Sequence, residues 1–294
     1  MQMQMMTAAQ ISVMVIVFVL CATMVAGVVL WTRMAMAFEA DLRPSCTPPP
    51  PLESPDAHNT SYALACAAAA AARPGERPKM RDLASIRWVG SQHAAMCVRF
   101  ERRTIVVAFR GTQTMEDAIV DLDVTLVDSP YGDGRVHRGF LELYQTLRPE
   151  LLRTLREEYI DGDSLFLTGH SLGAAVATYA LQDLLRHDAF RLAVRAAVTF
   201  GSPKTGDAVH ARELVRIGAQ RIGAQPMLRV ISNALDPMCT LPAKKYYAPV
   251  ELVTLFIEER GSWSSNHSMA VYLRAVAPTD EGRPTQQRSS IAQA

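Results

Sequence analysis

Short apolar runs alternate with longer amphipathic segments through the middle of the chain, from about residue 85 to residue 232. The runs "TIVVAFR" at 104–110 and "SLFLTG" at 164–169 are rich in apolar and β-branched residues, which indicates buried strands. In the segment 139–159, apolar residues recur at helical spacing. Strands that alternate with helices predict an α/β fold, with a mostly parallel sheet and helices on both faces. The further predicted strands are 85–90, 94–101, 196–202 and 227–232, and the further predicted helices are 63–72, 172–188 and 206–219.

Residues 11–31 contain no charged side chain and are almost entirely apolar. A helix of this length can span a hydrocarbon core of about 30 Å, so we predict a single-pass transmembrane helix after a short tail of residues 1–10. The alternative is a cleaved signal peptide and a secreted protein, because Ala35–Ala37 resembles a cleavage site. The apolar run is longer than a signal peptide needs, and no Lys or Arg precedes it, which favours an uncleaved membrane anchor.

The stretch that follows, residues 32–60, contains four consecutive prolines and is predicted to be an extended linker. We place the folded domain at residues 61–278 and a polar, disordered tail at residues 279–294. Arg33 favours a cytoplasmic domain, whereas the glycosylation sequon at Asn59 favours the opposite side. The sequence therefore leaves the membrane orientation open.

The composition is typical of a globular protein, since 49% of the 294 residues are hydrophobic and 20% are charged. A formal net charge of +1 gives no electrostatic reason to expect nucleic-acid binding. The five cysteines show no metal-ligand spacing, so no metal site is predicted. Cys46 and Cys66 could form a disulfide in a secreted protein, and mostly unpaired thiols fit the sequence equally well. The oligomeric state stays open.

The motif Gly169-His170-Ser171-Leu172-Gly173 joins a predicted strand to a predicted helix. A serine on such a sharp turn can be a nucleophile, and side chains at the two glycine positions would clash with the neighbouring strand and helix. The N–H of Leu172, at the helix N-terminus, could hold a developing oxyanion. The alternative is that Ser171 is an ordinary N-cap, which explains the serine but neither glycine.

A serine nucleophile needs a general base, and the base needs an acid that orients it. Among the histidines that follow Ser171, His267 lies late in the chain at a loop-to-helix junction. Asp236 follows the predicted strand 227–232 by a short loop, which places it at a carboxyl end of the sheet, where ligands collect. An alternative role for Asp236 is that of a turn residue before Pro237. The chain order predicts Ser171, Asp236 and His267 as a catalytic triad.

Six sequence blocks in the right order resemble the class 3 lipases, the fungal-type triacylglycerol lipase family of α/β-hydrolases. They are "VVAFRGT", "VHRGF", "TGHSLGAAVA", "VTFGSPKTGD", "RVISNALDPMCTLP" and "NHSMAVYL". The resemblance implies an α/β-hydrolase fold with Ser171 as nucleophile, His267 as base and Asp236 as orienting acid. It also implies that Thr112 and the N–H of Leu172 form the oxyanion hole, and that the chemistry needs no cofactor or metal.

We therefore expect a serine hydrolase that cleaves lipid esters of the triacylglycerol lipase or phospholipase type through an acyl-enzyme. The segment after Thr112, "QTMEDAIVDLDV", takes the place of the family's lid but is short and acidic. Because a lid that opens onto lipid usually presents a broader apolar face, an esterase acting on small soluble esters is an alternative. An acyltransferase with the same triad is another alternative, and an inactive, membrane-anchored binding module is a more distant one.

Overall fold

The computed structural model describes residues 57–71, 73, 80, 82–90, 94–111, 123–222, 225–250, 253–258, 260–277 and 288–289. The chain divides into two compact units, Met1–Pro44 and Ser45–Ala294, and the first lies entirely outside the described residues. The predicted membrane helix at 11–31, Cys46, and Thr112 with the segment that follows it also lie outside them. Within the described part of the chain, no helix is both long and apolar enough to cross a membrane.

Strands and helices alternate along the described chain in the order that the hydrophobic pattern predicts. The strands are β1 (Leu83–Val89), β2 (Ala95–Phe100), β3 (Thr104–Phe109), β4 (Leu126–Asp128), β5 (Arg135–His137), β6 (Ser164–His170), β7 (Val194–Phe200), β8 (Arg221–Ile222), β9 (Gln225–Pro226), β10 (Leu228–Asn233), β11 (Val253–Phe256) and β12 (Arg288–Ser289). The helices are α1 (Ala57–Ala71), α2 (Arg138–Glu158), α3 (Leu172–Arg186), α4 (Ala208–Ala219), α5 (Trp263–Asn266) and α6 (Met269–Val276), with a 3₁₀ helix at Pro237–Thr240.

One large sheet forms the centre of the described domain, with its strands in the order β1-β2-β3-β6-β7-β10-β11-β12. The neighbouring strands β3, β6, β7, β10 and β11 run parallel, whereas β1, β2 and β12 pair antiparallel at the two edges. The prediction of a mostly parallel sheet is therefore confirmed. Phe200 at the end of β7 pairs with His170 of β6 and with Ile231 of β10, so the carboxyl ends of these strands lie close to one another.

Helices cover both faces of this sheet. On one face, α2 and α3 pack against alternate residues of the central strands, including Leu165 and Leu167 of β6, in one buried apolar cluster. On the other face, α1 packs against β6, where the Thr168 hydroxyl donates a hydrogen bond to the carbonyl oxygen of Leu64. Because successive side chains of a strand point to opposite faces, Leu167 and Thr168 belong to the two different layers.

Several local features differ from the sequence-based expectation. Helix α1 begins at Ala57, inside the predicted linker, because its alanine-rich sequence favours a helix that buries one side on the sheet. The predicted disordered tail contributes β12, since the outer edge of β11 leaves backbone groups with which Arg288 and Ser289 pair. Strand β11 and the ribbon of β4 and β5 are not predicted, because they are too short to show an alternating pattern.

Candidate active site

Ser171 lies on a strained turn between β6 and α3, with a φ of 57° and a ψ of −127°. A positive φ is costly for a residue with a Cβ, so the surrounding structure must impose it. A Cβ at Gly169 would lie 2.2 Å from the carbonyl oxygen of Gly173, and a Cβ at Gly173 would lie 2.2 Å from the carbonyl oxygen of Phe109. The two glycines thus allow strand, turn and helix to approach closely enough to fix the serine.

The start of α3 provides a positive potential beside the serine. Ser171 occupies the N-cap position of α3, a helix that is fully described, but its side chain makes no capping hydrogen bond, so capping does not explain the serine. The N–H of Leu172 lies in the first helical turn, where N–H groups have no acceptor within the helix. Together with the helix dipole, this N–H can stabilise a negative charge that develops next to the serine.

A buried carboxylate–imidazole pair lies at the same carboxyl edge of the sheet. Nδ1 of His267 is 2.5 Å from Oδ2 of Asp236, and neither side chain is exposed to solvent. Asp236 follows β10 after a short turn and begins the 3₁₀ helix, where the Met238 N–H donates to its Oδ1 at 2.9 Å. His267 occupies the junction between α5 and α6. The fold thus joins two residues from distant parts of the chain in one hydrogen bond.

The His267 ring contacts both segments that hold the serine turn. The ring of His170, which directly precedes Ser171, has its centroid 4.4 Å from that of His267. The Ser171 N–H donates to the carbonyl oxygen of Phe200 at 3.0 Å. The next residue, Gly201, is so close that a Cβ there would lie 2.9 Å from Cε1 of His267. Nε2 of His267 is buried and has no hydrogen-bond partner among the described residues, so this nitrogen is available to accept a proton.

The neighbouring histidine, His170, braces the backbone of His267. Nε2 of His170 lies 2.7 Å from the carbonyl oxygen of His267 and must donate this hydrogen bond, because a carbonyl oxygen only accepts. Burial, and secondarily the nearby His267 ring, lowers the pKa of His170 well below its usual value of 6.5. His170 is therefore neutral near pH 7, and its Nε2 is already committed as a donor.

Two further residues at this site are missed by the sequence reasoning. The Tyr272 hydroxyl donates to Oδ2 of Asp236 at 2.5 Å. Gly201, with a φ of 56°, lies against the same oxygen, since a Cβ there would be 3.0 Å from Oδ2. A glycine directly after the apolar residues that end β7 is a usable signal, whereas a tyrosine in the last helix is not. Thr112 lies outside the described residues, so its place in an oxyanion hole stays a prediction.

The surroundings of the pair include a cysteine thiol and an asparagine of a glycosylation sequon. No group of three or more His, Cys, Asp or Glu side chains within the described ranges could hold a metal ion. Burial, followed by the charge of Asp236, raises the pKa of Cys239 to about 12, so this thiol stays protonated at neutral pH. Asn266 belongs to a glycosylation sequon, but its buried amide donates to the Leu235 carbonyl and accepts from the Arg260 N–H. These contacts keep the amide from being modified in the folded protein.

Comparisons with known proteins relate this arrangement to one family. The model of the family described as Lipase (class 3) matches residues 106–245. Among curated proteins, phospholipase A1-II 3 of Oryza sativa subsp. japonica is 30% identical over 231 residues, which cover 65% of this chain and 54% of that protein. The chain thus spans about half the length of the curated relatives that it matches.

Solved structures of lipases resemble this chain in fold. The triacylglyceride lipase of Rhizomucor miehei is 25% identical, with a TM-score of 0.54 over 68% of this chain and 79% of that chain. Lipase II from Rhizopus niveus is 22% identical, with a TM-score of 0.54 over 71% of this chain and 81% of that chain, which shows a shared fold.

Proposed function

We propose that this chain, which matches the class 3 lipase family at residues 106–245, hydrolyses lipid esters with Ser171 as nucleophile, His267 as general base and Asp236 as orienting acid. One observation carries the proposal. Ser171 is held at a φ of 57° beside a buried Asp–His pair. Nε2 of His267 in this pair has no hydrogen-bond partner within the described part of the chain. A strained, buried serine persists only where the structure imposes it, and such strain is typical of reactive positions.

Proton transfer would run through the Asp–His pair. Because Nδ1 of His267 donates to Asp236, the neutral ring carries its lone pair on Nε2. Nε2 takes the Ser171 proton as Oγ attacks the ester carbonyl carbon, and the buried Asp236 carboxylate stabilises the charged ring. The ring returns the proton to the alcohol oxygen as the ester C–O bond breaks, which leaves an acyl-enzyme. Water then cleaves the acyl group by the same route and releases the acid.

The carbonyl oxygen becomes negative in each tetrahedral intermediate. We place this oxygen at the N-terminus of α3, where the Leu172 N–H can donate to it. The second donor in this proposal is Thr112, which is assigned from the resemblance to the family. Two fixed donors in a water-poor site stabilise the oxyanion without the reorganisation that solvent would need.

A glycerolipid ester is the proposed substrate, since relatives carry the names phospholipase A1 and triacylglyceride lipase. We expect faster hydrolysis of triolein emulsions or phosphatidylcholine vesicles than of a short nitrophenyl ester at equal ester concentration. A preference for the soluble ester would contradict the lipid assignment and favour an esterase.

The apolar stretch 11–31 is our candidate for an anchor near lipid, and release of the protein from membranes by alkaline carbonate would contradict it.

The Ser171→Ala variant tests the mechanism directly. We expect ester hydrolysis to fall on the order of 10⁶-fold, because no other group replaces the nucleophile. The variant should also lose covalent labelling by a fluorophosphonate. Ser164→Ala, at the amino end of the same strand, is the matched control and should keep both properties. Turnover that survives in Ser171→Ala would rule out the proposed mechanism.

A further inference from the structure

The Asp236 carboxylate accepts hydrogen bonds from two groups besides His267. Oδ2 accepts from Nδ1 of His267 and from the Tyr272 hydroxyl, each at 2.5 Å, while Oδ1 accepts from the Met238 N–H. Among the described residues, no Lys or Arg forms an ion pair with this carboxylate. A buried carboxylate without a fixed cation depends on such donors to stay ionised. Each of the three donors therefore carries part of the stabilisation of one buried negative charge.

The Tyr272 hydroxyl acts as a donor to the carboxylate. Its oxygen accepts the Asn233 N–H at 3.3 Å, and its proton is left for the carboxylate oxygen 2.5 Å away. An ionised carboxylate only accepts hydrogen bonds, so Tyr272 must be the donor in this contact. Burial, with the nearby Cys239 and Asp236, raises the pKa of Tyr272 well above its usual value of 10. The hydroxyl therefore keeps its proton throughout the pH range in which the protein can work.

The Tyr272 ring is fixed in place by aromatic neighbours. It is fully buried, with its centroid 5.5 Å from that of Phe256 and 6.1 Å from that of Phe200. Tyr272 lies in α6, which begins shortly after His267. A short stretch of chain therefore carries both side chains that bind Oδ2. Gly201 packs against the hydroxyl, since a Cβ there would lie 2.9 Å from Oη. The hydroxyl thus has little freedom to point elsewhere.

We propose that Tyr272 is a positioning residue, whose hydroxyl aims Oδ2 of Asp236 at Nδ1 of His267 and shares the buried negative charge. The proposal rests on the proposed function, because its kinetic consequence appears only in the reaction of the triad. Without the hydroxyl, the carboxylate can rotate about its Cβ–Cγ bond and loses one of the donors that stabilise its buried charge. Its Oδ2 is then aimed less firmly at Nδ1 of His267.

Tyr272→Phe tests the proposal because it removes one oxygen atom and keeps the ring. On a soluble nitrophenyl ester, we expect kcat per fluorophosphonate-labelled site to fall about tenfold at unchanged KM, the size expected for losing a hydrogen bond to a charged group. The acid limb of the pH–rate profile should shift as well, because the Asp–His pair carries the proton transfer. The low-field proton resonance of the His267 Nδ1–H should weaken or move upfield, and this signal needs no substrate.

Tyr144→Phe is the matched control. Tyr144 is also a fully buried tyrosine that donates to a carboxylate, Asp183, at 2.6 Å, but within the apolar cluster under α2 and α3. We expect this variant to lose thermal stability while its kcat, acid limb and low-field resonance stay those of the wild type.

The outcomes separate the two proposals. An unchanged acid limb together with an unchanged resonance in Tyr272→Phe would overturn the positioning role. Equal kinetic losses in Tyr144→Phe would overturn it as well, because they would point to general destabilisation. A wild-type protein that hydrolyses no ester would contradict the proposed function, and the resonance would still decide whether Tyr272 controls the Asp–His hydrogen bond.

Discussion

Two buried aspartates each accept a hydrogen bond from a fully buried tyrosine, yet only one of them lies at the candidate active site. Asp183, in α3, accepts from the Tyr144 hydroxyl at 2.6 Å and from the Arg148 guanidinium at 2.7 and 3.1 Å. Asp236 instead accepts from a tyrosine and from a histidine, both at 2.5 Å. Burial and a tyrosine donor are thus common to both sites, and the third partner distinguishes them.

The third partner decides what each carboxylate can do. The Arg148 guanidinium is always charged, so it neutralises Asp183 permanently and the group serves the fold. His267 becomes charged only when it takes a proton, so in the proposed mechanism the negative charge of Asp236 is balanced only during proton transfer. An interaction that strengthens on the way to the transition state accelerates a reaction, whereas a constant one does not. A buried carboxylate paired with histidine instead of arginine is therefore the more informative mark of a reactive site.

The largest effect expected from this comparison is that of Asp236→Asn. An amide cannot balance the charge that His267 gains, and its NH₂ group favours the wrong ring tautomer, so we expect kcat to fall on the order of 10⁴-fold. The measurement is kcat on a soluble nitrophenyl ester, corrected for labelled active sites. A loss below about tenfold would mean that the Asp–His pair is structural.

Asp183→Asn is the matched control for that substitution. It leaves Arg148, whose side chain is 35% exposed, with a weaker partner, so we expect the free energy of unfolding to fall by about 1–3 kcal/mol. The kcat per labelled site should match the wild type. A large kinetic loss in Asp183→Asn would break the distinction between the two aspartates.

The next prediction concerns the pH dependence of stability, which we attribute to two buried histidines that, unlike the two aspartates, each have a ring nitrogen without a hydrogen-bond partner among the described residues. Nε2 of His137 and Nδ1 of His210 have no hydrogen-bond partner within the described chain, and burial lowers the pKa of each to about 4 from 6.5. Between pH 6.5 and pH 4 the unfolded chain therefore binds more protons than the folded one. Stability falls as the pH drops through this window, by up to about 3 kcal/mol for each histidine.

Urea unfolding at a series of pH values from 7 to 4 measures this dependence. His137 is the N-cap of α2 and accepts from the Phe140 N–H, and asparagine can take over that capping role. We expect His137→Asn to make the free energy of unfolding less dependent on pH within the window. A slope as steep as that of the wild type would show that His137 is not held neutral by burial.

Much of the site follows from sequence because its strongest constraint is local. The glycines at 169 and 173 predict a close approach of adjacent elements, and in the structure a Cβ at either position would lie 2.2 Å from a backbone carbonyl oxygen. The resemblance to class 3 lipases is confirmed by the family match at residues 106–245, which includes five of the six blocks. Tyr272 could not be found in this way, since its contact with Asp236 depends on how α6 packs against the end of β10. Such packing leaves no spacing signal along the chain.

The smallest effect belongs to the Arg148–Asp183 pair itself and is measured by a double-mutant cycle. Arg148→Met should reduce the free energy of unfolding by about 1–2 kcal/mol, because the guanidinium is part-exposed and water screens its charge. With Asp183→Asn as the second substitution, we expect a coupling of about 1 kcal/mol between the two sites and no change in kcat. The absence of coupling would mean that Arg148 does not neutralise Asp183. In that case the third partner could not explain why one aspartate serves the fold and the other is proposed to serve the reaction.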